Sequence, residues 1–236
     1  MLSIITPNLN NAKYLEDNII SISKLTIPFE HIIVDGGSTD GSLNIISKYP
    51  HVRLLHQKEK TGMYGAIHQG FTEARGEFIS YINSDDRMIP EGFTAMYDYI
   101  SKNKCNFIYS DGWFDFIQEK IKKFGKGRRF GKLFLRNGVM PSIQPATIYT
   151  KKIYTSVGGL RYDKFKIVGD FDLFLRMANF KDSIFKYLPV SSVIFMIRHD
   201  SLGETNEDLG KNELKVNNLP TPHFFIRILV FICRYI

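Results

Sequence analysis

Five short apolar runs mark the first half of the chain: Leu2–Thr6, His31–Val34, Val52–Leu55, Phe78–Ile82 and Asn106–Ser110. A helical pattern fills each gap, at about Ala12–Leu25, after Thr39 or Asp40 to Tyr49, at Met63–Ala74 and at Glu91–Asn103. Continuous apolar runs, as opposed to alternating ones, belong to strands buried on both faces, and strand–helix alternation of this kind builds a mostly parallel, doubly wound α/β sheet flanked by helices. The punctuation agrees. Pro7 closes the first run, Asn8, Asn10 and Asn11 supply turn and cap residues, Thr39 or Asp40 can cap the second helix, Gly76 stops the third and Pro90 opens the fourth.

The rhythm changes after Asp111. Trp113–Phe124 reads as a hairpin or as edge strands, Ile143–Tyr149 as a strand, Gly158-Gly159 as a turn and Asp170–Ala178 as a short helix, with Ile184–Tyr187 and Val190–Ile197 as closing strands. The chain has 236 residues, 44% hydrophobic and 23% charged, which suits one α/β domain and excludes disorder. Two distant cysteines, Cys105 and Cys233, exclude a disulfide framework and a zinc site and fit a cytoplasmic protein. No signal-like segment and no apolar stretch long enough to span a bilayer is expected.

The net charge of +7 is local. Lys120, Lys122, Lys123, Lys126, Arg128, Arg129, Lys132 and Arg136 face the single acid Glu119, while the rest of the chain is balanced. Such a segment is either a solvated loop or a surface for something anionic, such as phospholipid headgroups or a pyrophosphate-linked acceptor. No nucleic-acid-binding motif accompanies it, so nucleic acid is not expected as a partner.

Ligands of open α/β sheets sit beyond the carboxyl ends of the strands, and the acids lie there: Asp35 after the second run, Asp85 and Asp86 after the fourth. Two adjacent carboxylates repel in a cleft, and a hard divalent cation, Mg²⁺ or Mn²⁺, removes that cost. The same pair also suits a turn that caps the next helix. Asp170 opens a helix, where it is either an N-cap or a general base kept ionised by the helix dipole; Asp172 faces elsewhere and is expected to support the helix.

Several segments resemble motifs of family 2 glycosyltransferases, which have the GT-A fold. Ser3-Ile4-Ile5-Thr6-Pro7-Asn8-Leu9-Asn10 is similar to the family's first strand, and Ile32-Ile33-Val34-Asp35-Gly36-Gly37-Ser38-Thr39-Asp40 to its second. Gly62-Met63-Tyr64-Gly65-Ala66-Ile67-His68-Gln69-Gly70 resembles the helix before the metal strand, Tyr81-Ile82-Asn83-Ser84-Asp85-Asp86 the aspartate motif, and Gly169-Asp170-Phe171-Asp172-Leu173-Phe174-Leu175-Arg176 the segment with the base. The five stand in the family's order over roughly residues 2 to 199.

The resemblance implies an inverting, metal-dependent glycosyltransferase that moves a sugar from a nucleoside-diphosphate donor, a UDP-sugar, to an acceptor hydroxyl on a glycan or lipid-linked glycan, as in bacterial surface polysaccharide synthesis. It implies Asp35 at the nucleotide base, with Thr6 and Pro7 beside it and Tyr64 near the donor. It places Asp85 at the ribose or the metal, Asp86 as the main metal ligand, Asp170 as the catalytic base, and His199 at the pyrophosphate or metal. Residues 1–111 become the donor-binding half of one domain, 112–200 the half for the acceptor and the base, and 201–236 a tail.

Departures from the pattern are Asn83 for a frequent aspartate, Lys60 and Gly65 where many relatives carry acids, and His68 and Gln69 where Asn and Lys are usual. They bear on the donor sugar and leave an inactive nucleotide-sugar-binding protein, or a membrane-associating module, as the alternatives. In the tail, Phe224–Ile236 is apolar except for Arg227, Arg234 and Tyr235. It suits either a helix in a membrane interface on the inner face of the cell membrane or one docked on the protein's own core.

Overall fold

β1 (Leu2–Asn8) is buried along its whole length because parallel neighbours flank it, β2 (Phe29–Asp35) on one side and β4 (Phe78–Tyr81) on the other. β3 (Val52–His56) continues the parallel set beyond β2. The computed structural model describes residues 1–201 and 205–222. The proposed interfacial helix of Phe224–Ile236 lies outside those residues. Among the described residues no helix is long and apolar enough to cross a membrane.

The remaining strands are β5 (Arg87–Met88), β6 (Phe107–Phe116), β7 (Ile121–Gly125), β8 (Thr147–Thr150) and β9 (Phe185–Ile197). Together the described strands form one mixed sheet in the order β3-β2-β1-β4-β8-β6-β9-β5, with β7 paired to β6 off that path. β8 is antiparallel to both β4 and β6, and β9 returns parallel to β6, so one sheet runs through both halves of the chain and β6 straddles Asp111.

Helices cover both faces. α1 (Ala12–Ser23), α2 (Ser42–Ile46) and α4 (Pro90–Lys102) lie on one face, where Ile22, Phe93, Met96 and Ile100 pack on Leu2, Ile4 and Ile148, and Leu15, Ile19 and Ile46 pack on Ile33. α3 (Gly62–Glu73), α6 (Lys151–Ser156) and α7 (Gly169–Asn179) take the other, packing Ile67, Phe71, Ile153, Phe174 and Met177 on Ile5, Ile32, Phe107 and Tyr149. α5 (Gly131–Arg136) packs on α7, and α8 (Glu207–Val216) closes the described chain.

Four local expectations change. β1 does not stop at Pro7: it pairs with β2 as far as Asn8, and it has already left β4 after Ile5, so Pro7 meets no ladder on that side to interrupt. α1 is capped from a distance. Asn11 makes no side-chain cap, and Ala12 N donates instead to Asp40 Oδ2 at 2.8 Å, while Asp40 Oδ1 accepts from Ser42 N and Oγ. Of the apolar run Ile143–Tyr149, only its end joins a strand, β8. The two closing strands are one, β9, with register shifts opposite Ser110–Gly112.

At that irregularity α4 rests directly on β9. A Cβ on Gly92 would lie 1.9 Å from the Ser191 carbonyl oxygen, which only backbone movement relieves. Gly92→Ala should therefore destabilise the fold by about 1–3 kcal/mol, despite alanine's better helix propensity; a denaturant midpoint at or above wild type would show that α4 is not so closely seated.

Candidate active site

Asp35 ends β2 as a buried carboxylate satisfied by its own loop. Oδ1 accepts from Asn8 Nδ2 at 2.9 Å and Ser38 Oγ at 2.6 Å, and Oδ2 accepts from Gly37 N and Ser38 N, both at 2.9 Å. Burial alone would raise its pKa, but these hydrogen bonds together win and hold it below the ordinary value. Two residues further along the turn, Gly37 has φ 98°, a conformation that favours glycine. Thr6 does not reach this cleft. Its Oγ1 lies 3.0 Å from His31 Nε2 and 3.5 Å from Asn18 Oδ1, under α1, where burial and then His51 push the His31 pKa down to about 3. Pro7 is likewise buried in β1.

The loop after β4 separates its two carboxylates. Asp86, the expected main metal ligand, has no exposed surface; Oδ1 accepts from Met196 N of β9 at 2.8 Å and Oδ2 from Asn83 Nδ2 at 3.2 Å. Asp85 keeps 15% of its side chain open and pairs with Arg198 Nη2 at 3.2 Å. Asp86 thus ties the loop to β9, and Asp85 is the more open of the two carboxylates. Asn18 of α1 fixes the loop from beneath, donating to the carbonyls of Asn83 and Asp86 at 2.9 and 2.8 Å, and Asn11 Nδ2 donates to Ser84 Oγ at 2.8 Å.

Burial raises the pKa of Asp86 well above its ordinary value, and repulsion from Asp85 adds to it. Asp85 is raised too, first by burial, with Arg198 opposing. Arg198 therefore compensates the pair only in part, and a second cation would be favoured there. Among the described residues no group of three or more His, Cys, Asp or Glu converges as a metal cage. That donor set fits a hard cation held by one protein carboxylate and completed by substrate phosphates and water, rather than a closed protein site. His199 is not part of it: its Nε2 lies 2.9 Å from Glu119 Oε1, and the ring is largely exposed.

Asp170 stands in the first turn of α7, but Val168 occupies the N-cap position and Asp170 makes no cap across the turn; its Oδ1 accepts from Phe171 N at 2.8 Å and from the Tyr64 hydroxyl at 3.1 Å. The side chain is partly open yet densely surrounded. Burial raises its pKa, against the hydrogen bonds from Phe171 and Tyr64, so the helix dipole does not dominate as expected. Tyr64 is shared, since its hydroxyl also lies 2.8 Å from the Ile167 carbonyl oxygen. Tyr81, fully buried, ends β4 just ahead of the aspartate loop, and burial first, with the charge of Asp170 adding to it, raises its pKa. Asp172 is structural, paired with Arg176 at 2.7 Å and Arg161 at 3.5 Å.

The departures on α3 have local reasons. A Cβ on Gly65 would lie 1.7 Å from Thr61 Oγ1, so an acid there needs Thr61 to move. His68 Nδ1 lies 2.8 Å from the Tyr154 hydroxyl, and Gln69 holds the His56 carbonyl and the Lys58 amide.

Sequence reasoning missed Asn18, Arg198 and Glu213. Glu213, on α8, accepts from three consecutive amides, Lys166 N at 2.7 Å and Ile167 N and Val168 N at 3.1 Å, directly ahead of Asp170. Only Arg198 carried a local signal, as a charge at the end of the last apolar run.

The fold and this set of carboxylates define a class, and comparison with known proteins agrees. The structure is similar to that of S. aureus TarS, with a TM-score of 0.67 at 17% identity over 90% of this chain and 39% of that one. It is also similar to a Pyrobaculum calidifontis mannosyltransferase in complex with GDP-Man and Mn²⁺, with a TM-score of 0.60 at 14% identity over 89% of this chain and 60% of that one. These likenesses establish the α/β fold as GT-A type. The sequence pattern of Glycosyl transferase family 2 matches residues 3–167, and the chain belongs to that family.

Among relatives, a Mycobacterium bovis PGL/p-HBAD biosynthesis glycosyltransferase is 26% identical over 246 residues, 99% of this chain and 90% of that one. Streptococcus pneumoniae GlyG is 34% identical over 129 residues, 49% of this chain and 43% of that one. The matched region spans less than half the length of GlyG and of the Bacillus subtilis relative TuaG, 43% and 46% respectively.

Proposed function

We propose that this chain is an inverting glycosyltransferase that moves a sugar from a UDP-sugar to an acceptor hydroxyl, with Mg²⁺ or Mn²⁺ at the donor. One observation carries the reading: in a family 2 chain, Asp35, Asp85 and Asp86 lie beyond the carboxyl ends of the parallel strands β2 and β4, with Asp85 paired to Arg198 and Asp170 held by Tyr64 of α3. A TarS structure, described with UDP-GlcNAc, supports the choice of nucleotide, and the mannosyltransferase described with Mn²⁺ supports a divalent cation.

Asp35, held ionised by its loop, suits hydrogen bonding to the nucleotide base, with Thr6 and Pro7 acting behind it as support for the strand end. Asp85 is assigned to the metal in place of Asp86, which positions the loop. A bound divalent cation would supply Lewis-acid stabilisation to the leaving diphosphate. Arg198 adds fixed positive charge beside Asp85. Asp170 takes the proton of the acceptor hydroxyl as its oxygen bonds to the anomeric carbon, while the bond from that carbon to the diphosphate oxygen breaks on the opposite face. One displacement with one base inverts the centre. The acceptor is a glycan, lipid-linked and of the kind assembled into bacterial surface polysaccharide, which places the protein in the cytoplasm at the membrane's inner face.

Calorimetric titration with UDP, with and without Mn²⁺, tests the assignment on wild type and Asp85→Asn. Binding should require Mn²⁺ and weaken at least tenfold in the variant, the scale of one charge-assisted contact. Metal-independent binding, or binding unchanged in Asp85→Asn, would remove the metal site from that loop.

A further inference from the structure

The basic segment also exposes large apolar side chains. Trp113 is 37% exposed, Ile121 and Phe124 49%, Leu133 57% and Phe130 70%, and among the described residues these are five of the eleven large hydrophobics so exposed. Single exposed apolar residues are ordinary, but a cluster set among cations is not. Its only acid between Phe116 and Arg136, Glu119, is paired with His199, and the nearby Asp115 is neutralised by Arg87 at 2.9 Å and Lys122 at 3.5 Å.

The fold places most of the cluster on one side. Trp113 and Phe124 face each other across the β6–β7 hairpin, with ring centroids 5.1 Å apart. Tyr109 and Trp113 are four residues apart on β6 and so share a face of the sheet. The Tyr109 hydroxyl accepts from Gly131 N, the first residue of α5, which sets Phe130 and Leu133 over that same face. Among the described residues β7 pairs only with β6. Positive charge continues from α5 through Arg136 to Lys215, which line one cavity of about 450 Å³.

We propose that the β6–β7 hairpin and the start of α5 form a docking face for an anionic lipid bilayer. Trp113, Phe124, Phe130 and Leu133 enter the interface, and the exposed Lys120, Lys123 and Arg129 lie against phosphate headgroups. Charge alone would equally suit a soluble polyanion, and lysines alone would suit protection of an open sheet edge. Leu133 decides against both, since an exposed aliphatic side chain offers neither charge to phosphate nor a flat ring to a sugar, whereas a lipid interface removes it from water. The proposal is independent of the sugar-transfer reading. It does suit that reading: the hairpin tip reaches His199, the neighbour of the Asp85-bound Arg198, so the bilayer would lie beside the donor cleft.

Trp113 is the sole tryptophan of the chain and reports on its own environment. With the full chain, vesicles of phosphatidylcholine and phosphatidylglycerol should shift its emission to the blue, and brominated acyl chains should quench it. Vesicles of phosphatidylcholine alone should do neither. In sedimentation with the anionic vesicles, Phe130→Ser/Leu133→Ser should lose at least tenfold in affinity at unchanged charge, and Lys120→Gln/Lys123→Gln should lose about fivefold per cation. Both pairs lie at the surface, and an unchanged circular dichroism melt confirms that each variant folds. Emission unmoved by anionic vesicles, or affinity unaltered in Phe130→Ser/Leu133→Ser because another segment anchors the chain, would overturn the proposal. So would full competition by soluble polyphosphate, or a dimer dispersed by the same apolar substitutions.

Discussion

Asp170→Asn should lower the transfer rate by about 10²–10⁴-fold and leave UDP affinity within about twofold, because asparagine keeps the shape and the hydrogen bond to Tyr64 but cannot take a proton. The wild-type rate carries a further mark of this base. Burial raises the Asp170 pKa, so the protonated, inactive form persists to higher pH than for an exposed aspartate. Activity should therefore fall as pH drops through that raised pKa. Tyr64→Phe removes a donor that favours the carboxylate, so it should move this acidic limb upward in pH. A wild-type-like rate in Asp170→Asn would transfer the role of base to another residue; loss of rate together with UDP affinity would make Asp170 a donor-site residue instead.

The second large effect is expected far from the reacting groups. Glu213→Ala should destabilise the protein by on the order of 3 kcal/mol, since it strands three partly buried amides that share one carboxylate. For a chain of this size that is a fall in melting temperature of about 6–12 °C. The residues it releases, Lys166 to Val168, lead directly into Gly169 and Asp170, and the Ile167 carbonyl oxygen lies 2.8 Å from the Tyr64 hydroxyl. Turnover should fall with stability, chiefly in kcat, and Glu213→Gln, which keeps one acceptor oxygen, should lie between the two. An unchanged denaturant midpoint in Glu213→Ala would show that α8 is peripheral to the site.

These two residues mark how far the sequence could be read. Asp170 was legible because it opens an apolar-periodic helix after a glycine, a local pattern. Glu213 was not, because nothing near it in sequence indicates that its carboxylate will meet amides some 46 residues earlier. The cap of α1 has the same history: three asparagines precede the helix, yet the acceptor is Asp40, brought in by the neighbouring loop. His199 resembled a ligand by position, and its ring turns to Glu119 at the hairpin tip.

What the sequence determined by itself is the parallel set β3-β2-β1-β4, its flanking helices and the acids at its carboxyl ends. Buried strands and amphipathic helices each write their own period into the chain, and a carboxylate after a parallel strand must open toward the same edge of the sheet. The tertiary structure alone decided where each acid sits and what it pairs with. Asp85 and Asp86 are neighbours of one residue type, and nothing local separates them. Asp86 is drawn inward because Met196, 110 residues away, presents an amide from β9, and Asp85 is left partly open beside Arg198. Burial, partner and charge are properties of a position in space, and the chain acquires them only once β9 has closed the sheet.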